Sequence, residues 1–250
     1  MRVALLLFAA TLVAGCRSAS PLYSAQPVTP ETVVDGLPTE WPLALRPVPG
    51  EAGLSLGLRR SADELVVVVI AGDERQSRRI ALGGLRLWVD PEGGRDRALG
   101  IRFPAPERLD GRVLEGQERP RGERGGMDDV LRRRFEASLD AVEITRGDAQ
   151  PVRQSAGRVA GLETAATWGA RGLVIEMRVP LTAQPDLLTT SVGGAVGLGV
   201  EVVDVRRAMA RRLPPGGRPG GRGEGPPPAI GDEERPAPTL DTVTRWLRVE

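Results

Sequence analysis

Residues 84–103 read GLRLWVDPEGGRDRALGIRF, and this stretch has the pattern of a β-hairpin. In its first half every second residue is apolar, and Arg86, Trp88 and Asp90 stand between them, which is the period of a half-buried strand. Residues 90–94, DPEGG, supply turn residues, and the alternation resumes at 99–103. Because an isolated hairpin is only marginally stable in water, we expect further strands to cover its apolar face.

The rest of the chain supplies candidates for those strands. Residues 65–71 form a continuous β-branched apolar run, which predicts a strand covered on both faces. Other short segments predict the remaining strands, at residues 32–36, 53–58, 139–145, 160–168, 173–179, 196–202 and 242–249. Residues 127–138 have helical spacing and predict one short helix. The predicted fold class is therefore all-β, an antiparallel β-sandwich of two sheets with a jelly-roll or immunoglobulin-like arrangement.

Two segments show no strand or helix pattern. Residues 104–126 and 206–238 are rich in Gly, Pro and Arg, and their composition cannot bury enough apolar surface to offset the entropy of ordering. We expect long disordered loops at both places.

The N-terminus has the organisation of an export signal. Arg2 precedes an apolar segment that is too short to span a bilayer as a helix. Residues 13–16, VAGC, resemble the bacterial lipobox, which implies cleavage before Cys16 and lipid attachment to its thiol. The alternative is an ordinary signal peptide with a chance cysteine. The predicted organisation is a signal peptide over residues 1–15, a flexible tether over 16–31, and a sandwich domain over 32–250.

The lipid at Cys16 would make the membrane the first predicted partner. Each buried CH₂ of an acyl chain contributes about 0.8 kcal/mol, so several chains hold a protein firmly. Arg17 stands where an acidic residue would retain a lipoprotein in the inner membrane, and by this resemblance we expect an outer-membrane lipoprotein facing the periplasm or the cell surface. Cys16 is the single cysteine, so no disulfide is expected.

Composition excludes several kinds of active site. The chain contains no His and no Lys, which removes a Ser-His-Asp triad and a Ser-Lys dyad, and Cys16 is consumed by lipid. A carboxylate pair, Glu176 with Glu201, remains conceivable if their strands are neighbours. The formal charge of +1 gives no global field for nucleic acid. We therefore expect neither an enzyme nor a nucleic-acid-binding protein.

Four segments in order resemble the carbohydrate-binding module family 9-like domains of the DOMON-like group. They are VDGLPTEW, ELVVVVIAGDE, the hairpin with its flanks, and GLVIEMRVPL followed by GAVGLGVEVVD. The resemblance covers residues 33–250 and implies a β-sandwich. It implies a sugar ligand held by aromatic rings, sometimes with structural calcium, or haem in other branches. Haem ligation of that type requires His or Lys beside Met, and this chain has neither.

Trp88, Arg86 and Arg102 are the predicted ligand-binding residues. If the face opposite the apolar residues of the hairpin is solvated, Trp88 would be a stacking platform flanked by guanidinium donors. The alternatives are that this face packs on the second sheet, or that an arginine covers the ring. We expect Trp41 and Trp168 in the core and assign no face to Trp246.

A cofactor is not expected, although calcium is conceivable. Aspartates at predicted strand ends and turns could supply hard oxygen ligands, but the same residue type is common in turns. These residues are Asp35, Asp73, Asp90, Asp96 and Asp204.

The sequence thus predicts a non-catalytic, envelope-anchored binding lipoprotein with a carbohydrate or glycan ligand. The alternative is a structural or protein-interaction lipoprotein of the envelope, with an envelope protein as partner and no small-molecule ligand. The two differ in one observable feature: a sugar binder should expose a tryptophan on a concave surface, and a scaffold should bury all four.

Overall fold

The computed structural model describes residues 20–41, 45–106, 126–170, 172–190, 192–204 and 244–250. The predicted signal peptide, Cys16 and the predicted loop at 206–238 lie outside these residues, as does most of the predicted loop at 104–126. The helices formed by these residues lack the length and the hydrophobicity that spanning a bilayer requires.

The structure is a two-sheet β-sandwich, as the alternating segments predict. The first sheet has seven strands in the order β1-β13-β12-β6-β7-β8-β9. Their bounds are β1 Leu22–Tyr23, β6 Leu85–Asp90, β7 Leu99–Phe103, β8 Ala141–Arg146, β9 Val152–Ser155, β12 Val196–Val202 and β13 Arg245–Val249. Strands β6 and β7 are the predicted hairpin, with Leu87 opposite Ile101.

The second sheet contains six strands in the order β10-β11-β5-β4-β2, with β3 pairing separately with β4. Their bounds are β2 Gln26–Pro27, β3 Arg46–Pro47, β4 Leu54–Arg60, β5 Glu64–Ala71, β10 Glu163–Gly169 and β11 Gly172–Pro180. Most pairs are antiparallel, but β1 with β13 and β2 with β4 are parallel.

The core lies between the inner faces of the two sheets. Leu87 and Ile101 of the first sheet and Leu56 and Val67 of the second belong to one buried apolar cluster. A smaller cluster covers the outer face of the second sheet, where Trp41 packs with Val66, Val68 and Val174. Both faces of β5 are therefore covered, as its continuous apolar sequence predicts.

The described residues form two α-helices, and the sequence prediction of a single helix missed the first. Helix α1, Glu74–Gly83, is preceded by Asp73, whose carboxylate accepts a hydrogen bond from the Gln76 backbone N–H and caps the helix. Helix α2, Gly126–Glu136, corresponds to the predicted helix. Ile80 of α1 and Phe135 of α2 enter the main core, and the two helices contact each other.

The N-terminal segment departs from the prediction in two ways. Residues 32–36, predicted as a strand, form an irregular segment with a bend. Part of the predicted tether belongs to the sheets, because β1 pairs with β13 and β2 pairs with β4. The Tyr23 backbone O accepts a hydrogen bond from Glu250, and Arg60 O accepts one from Val28 N–H. The segment therefore joins the edges of both sheets along one side of the sandwich.

Candidate functional site

The outer face of the seven-stranded sheet carries the predicted ligand-binding residues. Side chains on this face alternate with the core residues, so Arg86 and Trp88 point away from Leu87. Strand register aligns them in two rows across the sheet. The tryptophan row is Trp246, Gly199, Trp88, Gly100 and Thr145. The charged row is Glu201, Arg86, Arg102 and Glu143.

Glycine neighbours make room for the Trp88 indole. A Cβ at Gly100 would lie 2.7 Å from Trp88 Cζ3, and one at Gly199 would lie 3.0 Å from Trp88 Cβ. The benzene ring of the indole therefore lies against the backbone of β7. Any larger residue at position 100 would displace it.

Trp88 is not an exposed stacking platform. Its side chain is 4% exposed, and its Nε1 donates a hydrogen bond to Glu201 Oε2 at 2.7 Å. The guanidinium carbons of Arg86 and Arg97 lie 5.4 and 5.1 Å from the ring centroid. The stacking-platform prediction requires a solvated ring and is wrong in this respect, because arginines cover the indole.

The charged row is a largely buried network of two arginines and two glutamates, whose formal charges cancel. Arg86 binds Glu143 at 3.0 Å and Glu201 at 3.5 Å, and Arg102 binds Glu143 at 3.1 Å. Arg102 Nε also donates to the Gly83 carbonyl at the end of α1, at 2.6 Å. The sequence identified both arginines but not Glu143, whose only signal is its place in an alternating strand.

The β6–β7 turn folds back over this face. Asp90 organises the turn, because its two carboxylate oxygens accept hydrogen bonds from the backbone N–H groups of Glu92 and Asp96. A Cβ at Gly197 would clash with the Gly94 carbonyl, so the turn rests directly on β12. Arg97 then reaches across Trp88 and donates to Thr244 Oγ1 at 3.0 Å.

A second tryptophan–glutamate pair lies on the outer face of the other sheet. Trp41 is fully buried, and its Nε1 donates to Glu176 Oε1 at 2.7 Å. The backbone N–H groups of Asp35 and Gly36 donate to Glu176 Oε2 at 2.9 and 2.8 Å. Burial removes water from this carboxylate and raises its pKa, and the three hydrogen bonds oppose that rise.

Glu176 and Glu201 do not form a carboxylate pair. Glu176 belongs to β11 of one sheet and Glu201 to β12 of the other, and each side chain is on the outer face of its own sheet. The condition for a carboxylate pair, that the two strands are neighbours, is therefore not met, and the sandwich core separates the two groups.

The aspartates considered for calcium do not converge. Asp73 caps α1 and Asp90 caps the β6–β7 turn. Among the described residues, carboxylate oxygens of Asp35, Glu40 and Glu176 come within 4.8 Å of one another. Both Glu176 oxygens already accept hydrogen bonds, which gives this cluster a structural role at the N-terminal segment.

The other two tryptophans are half-buried. Trp168 packs edge to face against Phe135, with ring centroids 5.8 Å apart, and Arg132 covers its ring. Trp246 lies at the β13 end of the tryptophan row. All four tryptophans belong to the described residues, and none of them is exposed.

A shallow depression of about 650 Å³ lies at the β3–β4 turn. Val48, Leu54 and Ile70 contribute to its lining, with Glu51 at one side. The Glu51 carboxylate already has Arg79 and Arg245 at 3.8 and 3.7 Å. The depression thus offers mainly apolar surface and few polar groups for orienting a ligand.

Comparison with known proteins assigns the chain to no family. No protein-family model matches the chain, and no curated protein matches it. The similarity to family 9-like carbohydrate-binding modules therefore stays a prediction from the sequence.

Proposed function

We propose that this chain is a lipid-anchored protein of the outer membrane whose sandwich is a non-catalytic interaction module for an envelope protein. This choice rests on one observation: the N–H groups of the two buried indoles both donate hydrogen bonds to groups of the protein itself. Trp41 and Trp88 each donate to a buried glutamate, and arginine guanidinium groups lie over both rings. A face whose aromatic rings and charges already have partners supports a structural role more than sugar recognition.

Carbohydrate binding is the second candidate, and Trp246 is the observation in its favour. This indole is half-buried on the outer face of the seven-stranded sheet. Arg97 and the Thr244 hydroxyl lie close to each other at the same end of the tryptophan row, bonded at 3.0 Å. A sugar needs an aromatic ring to stack on its C–H face and polar groups to bond its hydroxyls. A partly exposed ring beside polar donors offers both.

One titration separates the two candidates. The mature chain is purified in detergent, and tryptophan emission is followed during titration with mono- and oligosaccharides, with and without calcium. We expect no saturable shift. A saturable shift that is lost in Trp246→Phe and retained in Trp168→Phe would replace the proposed function with carbohydrate binding.

The anchor is tested separately. Mass spectrometry of the N-terminal peptide from membranes should find an acylated Cys16, and Cys16→Ser should release the protein into the soluble periplasmic fraction. An unmodified Cys16 in a membrane-free protein would contradict the proposed anchor.

A further inference from the structure

The route of the N-terminal segment fixes where the lipid anchor joins the domain. Ser20 is the first described residue, and its Oγ accepts a hydrogen bond from Arg95 Nε at 2.8 Å. Arg95 belongs to the β6–β7 turn, which lies on the outer face of the seven-stranded sheet. Two residues later, Leu22 begins β1 at the edge of that sheet. The chain therefore joins the domain at the β1–β13 edge.

The connection between lipid and domain is short. Ser20 follows Cys16 by four residues. Since an extended chain advances at most about 3.6 Å per residue, their Cα atoms are no more than about 14 Å apart. The domain cannot move farther than this from an acylated Cys16, so its β1–β13 edge must stay close to the headgroups.

The surface beside that edge has side chains suited to a bilayer interface. Leu22 pairs with Arg248 in parallel register, so its side chain shares the outer face and is 58% exposed. Trp246 is half-buried on the same face. Tryptophan is enriched at membrane interfaces, where its ring is apolar and its N–H reaches water or headgroups.

The exposed charged residues of the β6–β7 turn and of residues 245–250 are balanced in sign. They are Arg95, Arg97 and Arg248 with Glu92, Asp96 and Glu250. Because neither sign dominates, contact with lipid at this surface would depend on Leu22 and Trp246, and only weakly on anionic headgroups.

We infer that the outer face of the seven-stranded sheet, at its β1–β13 edge, is the surface that contacts the membrane, with Leu22 and Trp246 in the headgroup region. This inference rests on the proposed lipid anchor at Cys16. Val33 and Leu37, which are also exposed, flank the turn that binds Glu176 on the opposite face of the sandwich, so this orientation turns them away from lipid. The opposite sheet then faces the aqueous compartment and its partners.

Two equally exposed positions at opposite edges of the same sheet give a matched test. Leu22 in β1 is 58% exposed and Val152 in β9 is 57% exposed. Seven strands at about 4.8 Å spacing place these edges about 29 Å apart. Because acylation consumes the thiol of Cys16, Leu22→Cys and Val152→Cys each provide a unique site for an environment-sensitive fluorophore.

The labelled, acylated proteins are reconstituted into vesicles of phosphatidylethanolamine and phosphatidylglycerol. We expect the emission of the Leu22→Cys label to shift to the blue and to be quenched by lipids brominated high in the acyl chain. The Val152→Cys label should do neither. Equal responses at both positions, or a response at Val152→Cys alone, would overturn the inferred orientation.

Intrinsic fluorescence supplies a second measurement that needs no new thiol. Brominated lipid should quench part of the wild-type tryptophan emission, and most of this quenching should disappear in Trp246→Phe. Trp168→Phe, which removes the other half-buried indole, should retain it. Quenching should persist in phosphatidylcholine vesicles and in high salt. Quenching lost in Trp168→Phe instead would overturn the inference.

Vesicle flotation shows whether a negative result contradicts the inferred membrane-facing surface or the proposed lipid anchor. A protein that floats with vesicles through acylated Cys16 but shows no quenching keeps its anchor and contradicts the inferred surface. A protein that neither floats nor carries lipid contradicts both.

Discussion

Single residues decide whether the outer face of the seven-stranded sheet can accept a ligand at Trp88. The sequence placed Trp88 on the face opposite the core correctly, because alternation along β6 determines the side of the sheet. It could not show that the ring is covered, since Arg97 comes from the far end of the β6–β7 turn. That contact depends on how the turn folds over β12, and no local sequence pattern encodes it.

Gly100 is the residue that most directly limits the position of Trp88. In Gly100→Ala the new Cβ would lie 2.7 Å from the indole, and overpacking of this kind costs about 1–3 kcal/mol. We expect a lower unfolding midpoint in urea. Gly157→Ala is the control, because a Cβ there meets nothing within 4 Å. Equal stability of the two variants would contradict the close approach at Gly100.

The free energy of unfolding should depend on pH through Glu176, and the direction of its pKa shift sets the sign of this dependence. Its pKa is raised in the folded protein from the ordinary value of 4.5, chiefly because burial disfavours the charged form. The contribution of Glu176 to the free energy of unfolding is therefore fully present below pH 4.5. It is lost as the pH rises through the raised pKa.

Glu176→Gln removes this titration. The free energy of unfolding of the wild type, relative to that of Glu176→Gln, should fall as the pH is raised above 4.5. Urea unfolding of both proteins across the pH range measures the difference. A relative rise over the same range would mean that the hydrogen bonds from Trp41 and the backbone outweigh desolvation.

Among the secondary-structure elements, strands were more predictable than the short N-terminal pieces and the first helix. Alternating or continuous apolar sequences identified β4 to β8 and β10 to β13. Helix α1 was missed because its sequence, ERQSRRIALG, is mostly polar and is stabilised by the Asp73 cap and by burial of Ile80. Strands β1 and β2 have two residues each and acquire their structure from partners distant in sequence.

The charged row links four strands and α1, so its loss should destabilise more than one element. Glu201 is 2% exposed and accepts from both Trp88 and Arg86. Removing one member of a buried ion pair typically costs about 3–5 kcal/mol, so we expect a loss of that order in Glu201→Ala. Chemical denaturation measures it.

Glu250→Ala is the matched control for this prediction. It removes an ion pair with Arg248 in which both side chains are about half exposed, 53% and 54%. Exposed pairs contribute about 0–1 kcal/mol. If both variants lost the same small amount, the charged row would not be a structural network.

For the whole molecule, the two-sheet sandwich predicted from the sequence is correct. The predicted N-terminal boundary of the domain, at residue 32, lies too far along the chain. Residues 16–31 were predicted as a tether, yet β1 and β2 close one side of the sandwich. A chain beginning at Thr29 should therefore have a lower melting temperature than one beginning at Ser20. The shorter chain loses the backbone hydrogen bonds of Ala25 and Val28, and calorimetry measures the difference. Identical melting temperatures would restore the tether assignment.

The pairing of β1 with β13 has a consequence for the order of events in biosynthesis. Leu22 pairs with Arg248, so the two strands come from opposite ends of the described residues. The seven-stranded sheet therefore cannot be completed until β13 has been synthesised, and such long-range pairing is intrinsically slow to form. If the chain is exported as proposed above, this delay keeps the polypeptide unfolded, as passage through a narrow translocation channel requires.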